Sequence, residues 1–258
     1  MERQEIQADI VVAGFGPAAA GFLLALGPEL AKVKAPGAPL YASQVKPGAP
    51  LKVICCERAD DLGFGVSGIV TPAMALRESF PDLDLATIPN AVPVSEERRV
   101  YLGDPYRDSR HTLGAAMKTL AFKLGGCFLK GGKWQACELP FAKRRGGWVL
   151  PMGSLMTWVA QKVAAYGIEV LPAAPVAGPL FEGDKVLGVR LADRGVAGDG
   201  TPVAGRYLPG LDVRAALTVV ADGPLGAVGR ILETKFGSSA AHRQNVWRLG
   251  MKVVVALP

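Results

Sequence analysis

With 258 residues, half of them apolar and a fifth charged, the chain can bury a real core as one large domain or two modest ones, which excludes a disordered or fibrous polypeptide. Its net charge of +6 is scattered, and basic residues are not interleaved with aromatic ones, so nucleic acid is not an expected partner. No apolar run approaches the roughly 20 residues that cross a bilayer, and the opening Met1-Glu2-Arg3-Gln4-Glu5 is too polar for a signal peptide.

The run Asp9-Ile10-Val11-Val12-Ala13 is short, apolar and β-branched, which predicts a strand buried on both faces. It enters Gly14-Phe15-Gly16-Pro17-Ala18-Ala19, a G-x-G-x-x-A pattern leading into an alanine-rich stretch that predicts a helix. Gly14 permits the tight turn and Gly16 lets a backbone approach a pyrophosphate. Ala19, in place of a third glycine, is small enough for close helix–strand packing. Pro17 suits the first helical turn, where its missing N–H costs nothing, and the free N–H groups there attract phosphate. Strand, glycine turn and helix in this order predict a dinucleotide site, with an incidental glycine-rich turn as the alternative.

Residues 34–50, rich in proline and glycine, predict a surface insertion. The second predicted strand, Leu51-Lys52-Val53-Ile54-Cys55-Cys56, ends on Glu57, an acid placed to hold ribose hydroxyls, or else a plain surface carboxylate at a strand end. Its distance from the glycines is about twice the usual ~20 residues, an excess that the insertion explains. Arg58 either covers the adenosine half of the ligand or is solvated. Cys55 and Cys56 point to opposite faces of their strand. With Cys127 and Cys137 they form no metal-ligand spacing, which predicts structural thiols in a reducing compartment. The expected location is cytoplasmic, or peripheral on the cytoplasmic face of the inner membrane. Leu62-Gly63-Phe64-Gly65-Val66-Ser67-Gly68 suits a backbone passing close to a flat cofactor, or a flexible surface loop. Thr71-Pro72 predicts a short helix to residue 80 with Pro72 at its first position.

Between residues 98 and 150 the pattern is weak. Arg98-Arg99-Val100-Tyr101-Leu102 predicts a strand and residues 115–124 a helix, in a second layer facing a substrate or partner. Lys143-Arg144-Arg145 fits a solvated loop, or peripheral contact with anionic lipid or an acidic protein. Ser154 is the predicted N-cap of a helix whose apolar face is Leu155, Trp158, Val159, Val163 and Tyr166, ended by Gly167. Ile168-Glu169-Val170-Leu171 predicts a strand, and residues 174–181 and 185–191 a hairpin about Glu182-Gly183-Asp184. A strand over 213–221 ends at Asp222-Gly223 before a helix over 225–236. A carboxylate at Asp222 suits a ribityl hydroxyl, with Gly223 making room; the competing reading is a plain Asp-Gly turn. Residues 249–257 predict a last strand.

Four stretches carry a resemblance that covers most of the chain outside 98–150. They are Val12 to Ala20; Glu57 through Leu62-Gly63 and Val66-Ser67-Gly68 to Ala75-Leu76-Arg77-Glu78-Ser79-Phe80-Pro81-Asp82; Gly153-Ser154-Leu155-Met156-Thr157-Trp158 on to Tyr166-Gly167-Ile168-Glu169-Val170-Leu171-Pro172; and Gly188-Val189 through Asp193-Arg194-Gly195-Val196 and Asp199-Gly200 to Ala221-Asp222-Gly223-Pro224-Leu225-Gly226. Together they resemble the N-terminal portion of the electron transfer flavoprotein–ubiquinone oxidoreductase family, which is related to geranylgeranyl reductase-like and FixC-type FAD flavoproteins.

The resemblance implies an α/β fold, the FAD/NAD(P)-binding Rossmann-like fold of the glutathione reductase type, with a partial second α+β layer facing substrate or quinone. It implies a first FAD-binding part over residues 1–97, an insertion or partial domain over 98–150, a second FAD-binding part over 151–240, and the start of a further domain over 241–258. It also implies non-covalent FAD, electrons received from electron transfer flavoprotein, and delivery to a membrane quinone. By position, Gly14 and Gly16 with Pro17, Ala18 and Ala19 would cradle the pyrophosphate. Glu57, with Arg58 beside it, would hold the adenosine ribose, and Ser67 and Gly68 would lie near the flavin. Val176 would offer backbone to the adenine, and Asp222 and Gly223 would meet the ribityl or pyrophosphate end. No catalytic side chain is implied, because the flavin carries the redox chemistry. Family members are longer and end in a ferredoxin-like region with cysteine ligands for a four-iron–four-sulfur cluster. This sequence has no cysteine after Cys137, so it is not expected to hold that cluster and reads as a piece of a longer protein. FAD-dependent double-bond reduction or hydroxylation, and a truncated non-catalytic nucleotide-binding remnant, are the alternatives.

Overall fold

A computed structural model describes residues 3–34, 37–63, 68–95, 100–102, 136–138 and 147–237. In chain order its strands are β1 (Glu5–Ala13), β2 (Val53–Cys56), β3 (Ile69–Thr71), β4 (Val92–Pro93), β5 (Val100–Leu102), β6 (Ala136–Glu138), β7 (Trp148–Leu150), β8 (Glu169–Leu171), β9 (Val176–Glu182), β10 (Lys185–Leu191) and β11 (Asp212–Val220). The helices are α1 (Pro17–Leu30), α2 (Met74–Ser79), α3 (Met152–Ala164) and α4 (Ala227–Phe236).

The β-branched run of β1 does what its composition predicts: every residue from Ala8 to Ala13 is buried, because the strand lies inside a sheet covered on both sides. Ile10 and Val12 face one core with Val53 and Cys55 of β2. Val11 and Ala13 face the other with Ile54 and Cys56. The first core is filled by α1 (Ala19, Ala20, Leu23, Leu30) and α3 (Leu155, Met156, Trp158, Val159, Val163). The second is closed by Val189 and Leu191 of β10 and Val228 of α4. The result is a layered α/β unit on a six-stranded sheet of order β8-β2-β1-β11-β10-β9. Its β8, β2, β1 and β11 are parallel, and β10 and β9 extend it as the predicted antiparallel hairpin. Both cysteines of β2 are buried free thiols; burial pushes the Cys56 thiol up to about 12, with Glu169 adding to it. Leu23 is fully enclosed, so Leu23→Ala is expected to cost about 3 kcal/mol, read from urea unfolding.

Asp9 is the polar exception inside β1. Its carboxylate, 4% exposed, accepts the N–H groups of Gln44 and Lys52 at 2.7 Å each and of Val45 at 3.4 Å. Burial opposes its ionisation, but hydrogen bonds from Ser43, Lys52, Gln44 and Val45 outweigh that and hold the carboxyl below its usual range. The described part of the 34–50 insertion contains only isolated bridges, and Asp9 ties it to the sheet.

Two predicted helix starts are corrected. Pro72 lies outside α2, which begins at Met74 after Ala73 in the left-handed region at φ 58°. Residues 69–71 stay extended because β3 pairs with β7, and the Thr71 hydroxyl then accepts the Ala73 N–H at 3.1 Å, which turns the chain later than the proline suggests. Ser154 is not the N-cap of α3. Pro151 holds that position, with Leu155 N–H bonded to its carbonyl at 3.0 Å, because β7 runs to Leu150 and the proline turns the chain at once. The Ser154 hydroxyl instead accepts from the Asn90 amide at 3.3 Å. Tyr166 falls beyond α3 and is 38% exposed, its ring lying against Gly27 of α1. Outside the main sheet, the described strands form a small sheet β3-β7-β4 and a pair β5-β6. The helix predicted over 115–124 and the strand over 249–257 lie outside the described residues. Among the described residues no helix is long and apolar enough to cross a membrane.

Candidate functional site

Parallel pairing puts the C-terminal ends of β8, β2, β1 and β11 on one edge of the sheet, so Pro172, Glu57, Gly14 and Ala221 follow from neighbouring strands. From β1 the chain goes through α1 to β2 on one side, whereas β11 arrives on the other. The crevice between the ends of β1 and β11 is therefore the switch point of the sheet, where open α/β folds bind ligands.

Gly14 turns the chain with φ 92° and donates its N–H to the Cys56 carbonyl at 2.8 Å. A Cβ there would lie 2.6 Å from the Ala221 carbonyl oxygen and 2.9 Å from the Asp222 Cα, so the turn is pressed against the end of β11. Gly16 is the reverse case: nothing lies within 4 Å of the position its Cβ would take. It occupies the N-cap of α1 and supplies no side chain to it, Pro17 follows at the first helical position, and the first turn holds no acid. The N–H groups of Ala18 and Ala19 are thus left for an acceptor from outside the helix, at its positive end. Pro17 and Ala18 are exposed, while Ala19 is fully buried in the α1–sheet core.

Glu57, at the end of β2, folds over the turn. One carboxylate oxygen accepts the Phe15 N–H at 2.7 Å and the other the Ala59 N–H at 2.9 Å. Its backbone is gripped by the end of β8 and the residues that follow it, through Glu57 N–H to the Leu171 carbonyl and Ala174 N–H to the Glu57 carbonyl. Val176 opens β9 two residues beyond Ala174. Arg58 is exposed. Gly68 is exposed beside Leu150 and Pro151 at the start of α3, and Ser67 lies outside the described residues.

Asp222 adjoins Gly14 through its backbone, but its carboxylate turns toward α4, accepting the Val228 N–H at 2.8 Å and the Gly229 N–H at 3.3 Å. Gly223, at φ 76°, is exposed with nothing within 4 Å of its absent side chain. At this edge the Gly14 turn packs on the Ala221–Asp222 backbone, and the space beside it is open at Gly16 and Gly223. Glu57 is anchored beside it. A bound pyrophosphate needs that room and those unpaired donors, so the residues present fit a dinucleotide. Sequence reading missed Phe15, whose N–H fixes Glu57, and Gly226, which makes room for the Asp222 carboxylate. The spacing of Asp222 from Gly226, just before an apolar-periodic run, was the available signal for the second.

No protein-family model matches the chain. Electron transfer flavoprotein–ubiquinone oxidoreductase of Pseudomonas aeruginosa is 27% identical over 256 residues, covering 98% of this chain and 40% of that protein. The mitochondrial protein of the same name from Homo sapiens is 28% identical over 254 residues, covering 98% of this chain and 35% of its own length. A geranylgeranyl bacteriochlorophyll reductase-like protein of Thermoplasma acidophilum has a solved structure that matches 88% of this chain and 42% of its own, at 20% identity and a TM-score of 0.46. Over nearly its whole length, then, this chain is similar in sequence to the electron transfer flavoprotein–ubiquinone oxidoreductases, and it spans 35 to 40% of the length of the curated relatives named here.

Proposed function

We propose that the chain binds FAD non-covalently in the crevice between β1 and β11 and belongs to an FAD-dependent oxidoreductase that takes electrons from electron transfer flavoprotein and passes them to membrane quinone. The observation that carries the binding site is the pairing of a blocked and an open glycine: Gly14 is pressed against Ala221 and Asp222, whereas Gly16 faces free space at the uncapped start of α1. In this reading Gly14, Gly16 and the Pro17–Ala19 turn receive the pyrophosphate. Glu57, held on the N–H groups of Phe15 and Ala59, keeps lone pairs free for ribose hydroxyls. Arg58 borders the adenosine half, Val176 the adenine, Ser67 and Gly68 the flavin, and the Asp222–Gly223 turn the ribityl end. When bound, the flavin supplies the redox chemistry, and the protein positions it. Residues 1–97 and 151–240 then form the two parts of the flavin domain, around a partner- or quinone-facing region at 98–150. The relatives' names motivate the choice of donor and acceptor.

FAD titrated into the purified chain is expected to bind near stoichiometry with quenched flavin fluorescence; protein that stays colourless in excess FAD would overturn the reading. Glu57→Ala is expected to weaken FAD about thirtyfold, since it removes a charge-assisted acceptor and frees the Phe15 N–H, with Glu57→Gln intermediate. Reduced electron transfer flavoprotein and a quinone analogue, supplied to the FAD-loaded full-length protein, test the electron path; failure to reduce the quinone would remove the proposed donor and acceptor while leaving FAD binding intact.

A further inference from the structure

We infer that Asp222 serves the dinucleotide site as a positioning residue, capping α4 so that the β11 end is held against the Gly14 turn, and not as a direct ligand of the cofactor. This rests on the FAD reading above. The helix assigns no cap to its own N-cap residue: Gly226 has the extended backbone of that position, φ −63° and ψ 144°, and no side chain. Asp222, four residues earlier, fills the role by accepting the Val228 and Gly229 N–H groups. Its carboxylate lies over the Gly226 Cα so closely that a Cβ there would fall 1.9 Å from the carboxyl carbon and 2.2 Å from both oxygens. One oxygen, Oδ2, accepts both N–H groups, and the carboxylate as a whole lies on the α4 side, over Gly226. The backbone of the same residue is in contact with Gly14, where a Cβ would meet the Asp222 Cα at 2.9 Å. One residue therefore joins the start of α4 to the phosphate turn: backbone on the turn, side chain on the helix. The connection from Gly223 to Gly226 has little else to stiffen it, since Pro224 and Leu225 are exposed and Gly226 N–H bonds only the Gly223 carbonyl. Without the cap the turn gains freedom, and the wall behind Gly14 gains it too.

The geometry supplies its own test, because removing the carboxylate opens space for a replacement cap. Asp222→Ala is expected to lower the melting midpoint of the FAD-free chain by a few degrees and to weaken FAD about tenfold, the size of one lost helix cap. The double variant Asp222→Ala with Gly226→Ser puts a hydroxyl at the vacant N-cap and is expected to restore both the melting midpoint and FAD affinity to within about threefold of the parent. Gly226→Ser alone, which collides with the carboxylate, is expected to impair both. Asp222→Asn, which keeps an acceptor oxygen, is expected to stay within about threefold of the parent in FAD affinity, and it carries the test with the double variant if Asp222→Ala fails to fold. A double variant that regains its melting midpoint while FAD stays tenfold weaker would show a direct carboxylate contact and overturn the inference; recovery of neither would overturn it as well. Failure of the parent chain to bind FAD would be seen separately, and would remove the FAD reading together with this one.

Discussion

Gly14→Ala is expected to lower stability by about 3–4 kcal/mol and to abolish measurable FAD binding. The left-handed backbone at φ 92° costs an L-residue roughly 1–2 kcal/mol. The larger share comes from the Cβ, which would stand 2.6 Å from the Ala221 carbonyl oxygen. That oxygen cannot retreat cheaply: β1 and β11 are paired from Glu5 with Asp212 to Ala13 with Val220, and Ala221 N–H bonds the Ala13 carbonyl at 2.9 Å. Relief must come from moving the turn itself, and with it the Phe15 N–H that holds Glu57. Gly16→Ala is the control. Its backbone is extended at φ −97°, and its Cβ would meet nothing within 4 Å, so stability is expected to change by less than about 0.5 kcal/mol. FAD affinity should nevertheless fall, because the methyl group would enter the space assigned to the pyrophosphate. Urea unfolding and flavin fluorescence on the two variants separate these effects; equal loss of stability in both would contradict the assignment.

Asp9→Ala is expected to cost about 3 kcal/mol, far from the crevice and without a direct effect on FAD contacts. Truncation leaves the N–H groups of Gln44 and Lys52 without their 2.7 Å acceptor and opens a small void at a buried position. The effect carries a pH signature. The Asp9 carboxyl is held below its ordinary value, so the ionised form is favoured by folding and its stabilisation is present above the unfolded value of about 4. It is lost as pH falls through the lower folded value. The stability difference between the parent and Asp9→Asn should therefore be largest above about pH 5 and shrink toward pH 2, as measured by urea unfolding across that range. A difference that grew with acidity would mean that Asp9 is protonated in the native state. Limited proteolysis should also cut the insertion faster in Asp9→Ala, because this carboxylate is its tie to β1.

The elements legible in the sequence were those written in local pattern. The buried run of β1, the turn at Gly14 and Gly16, the strand ending at Glu57, the 176–191 hairpin and the strand-to-helix passage through Asp222 all follow from apolar periodicity and turn residues within a few positions of one another. Helix starts were read less well. Pro72 and Ser154 are both residues that favour the first turn of a helix, yet β3 and β7 pair with each other up to Thr71 and Leu150 and so decide where the chain is free to coil. Such pairing links residues about eighty positions apart and leaves no local trace.

For the site, the sequence by itself determined which chemical groups arrive at the C-terminal edge of the sheet: two glycines before a helix with a proline at its start, one acid after β2, one acid and a glycine after β11. Order along the chain is enough for that, because parallel strands deliver their following residues to the same edge. Only the tertiary structure decided what those acids do. Glu57 is fixed by an N–H 42 residues away, and Asp222 is turned by a helix that begins after it and by a glycine with no side chain to resist it. A carboxylate bonds whichever donors the folded chain sets nearest. Its orientation is therefore a property of packed neighbours and not of its place in the sequence.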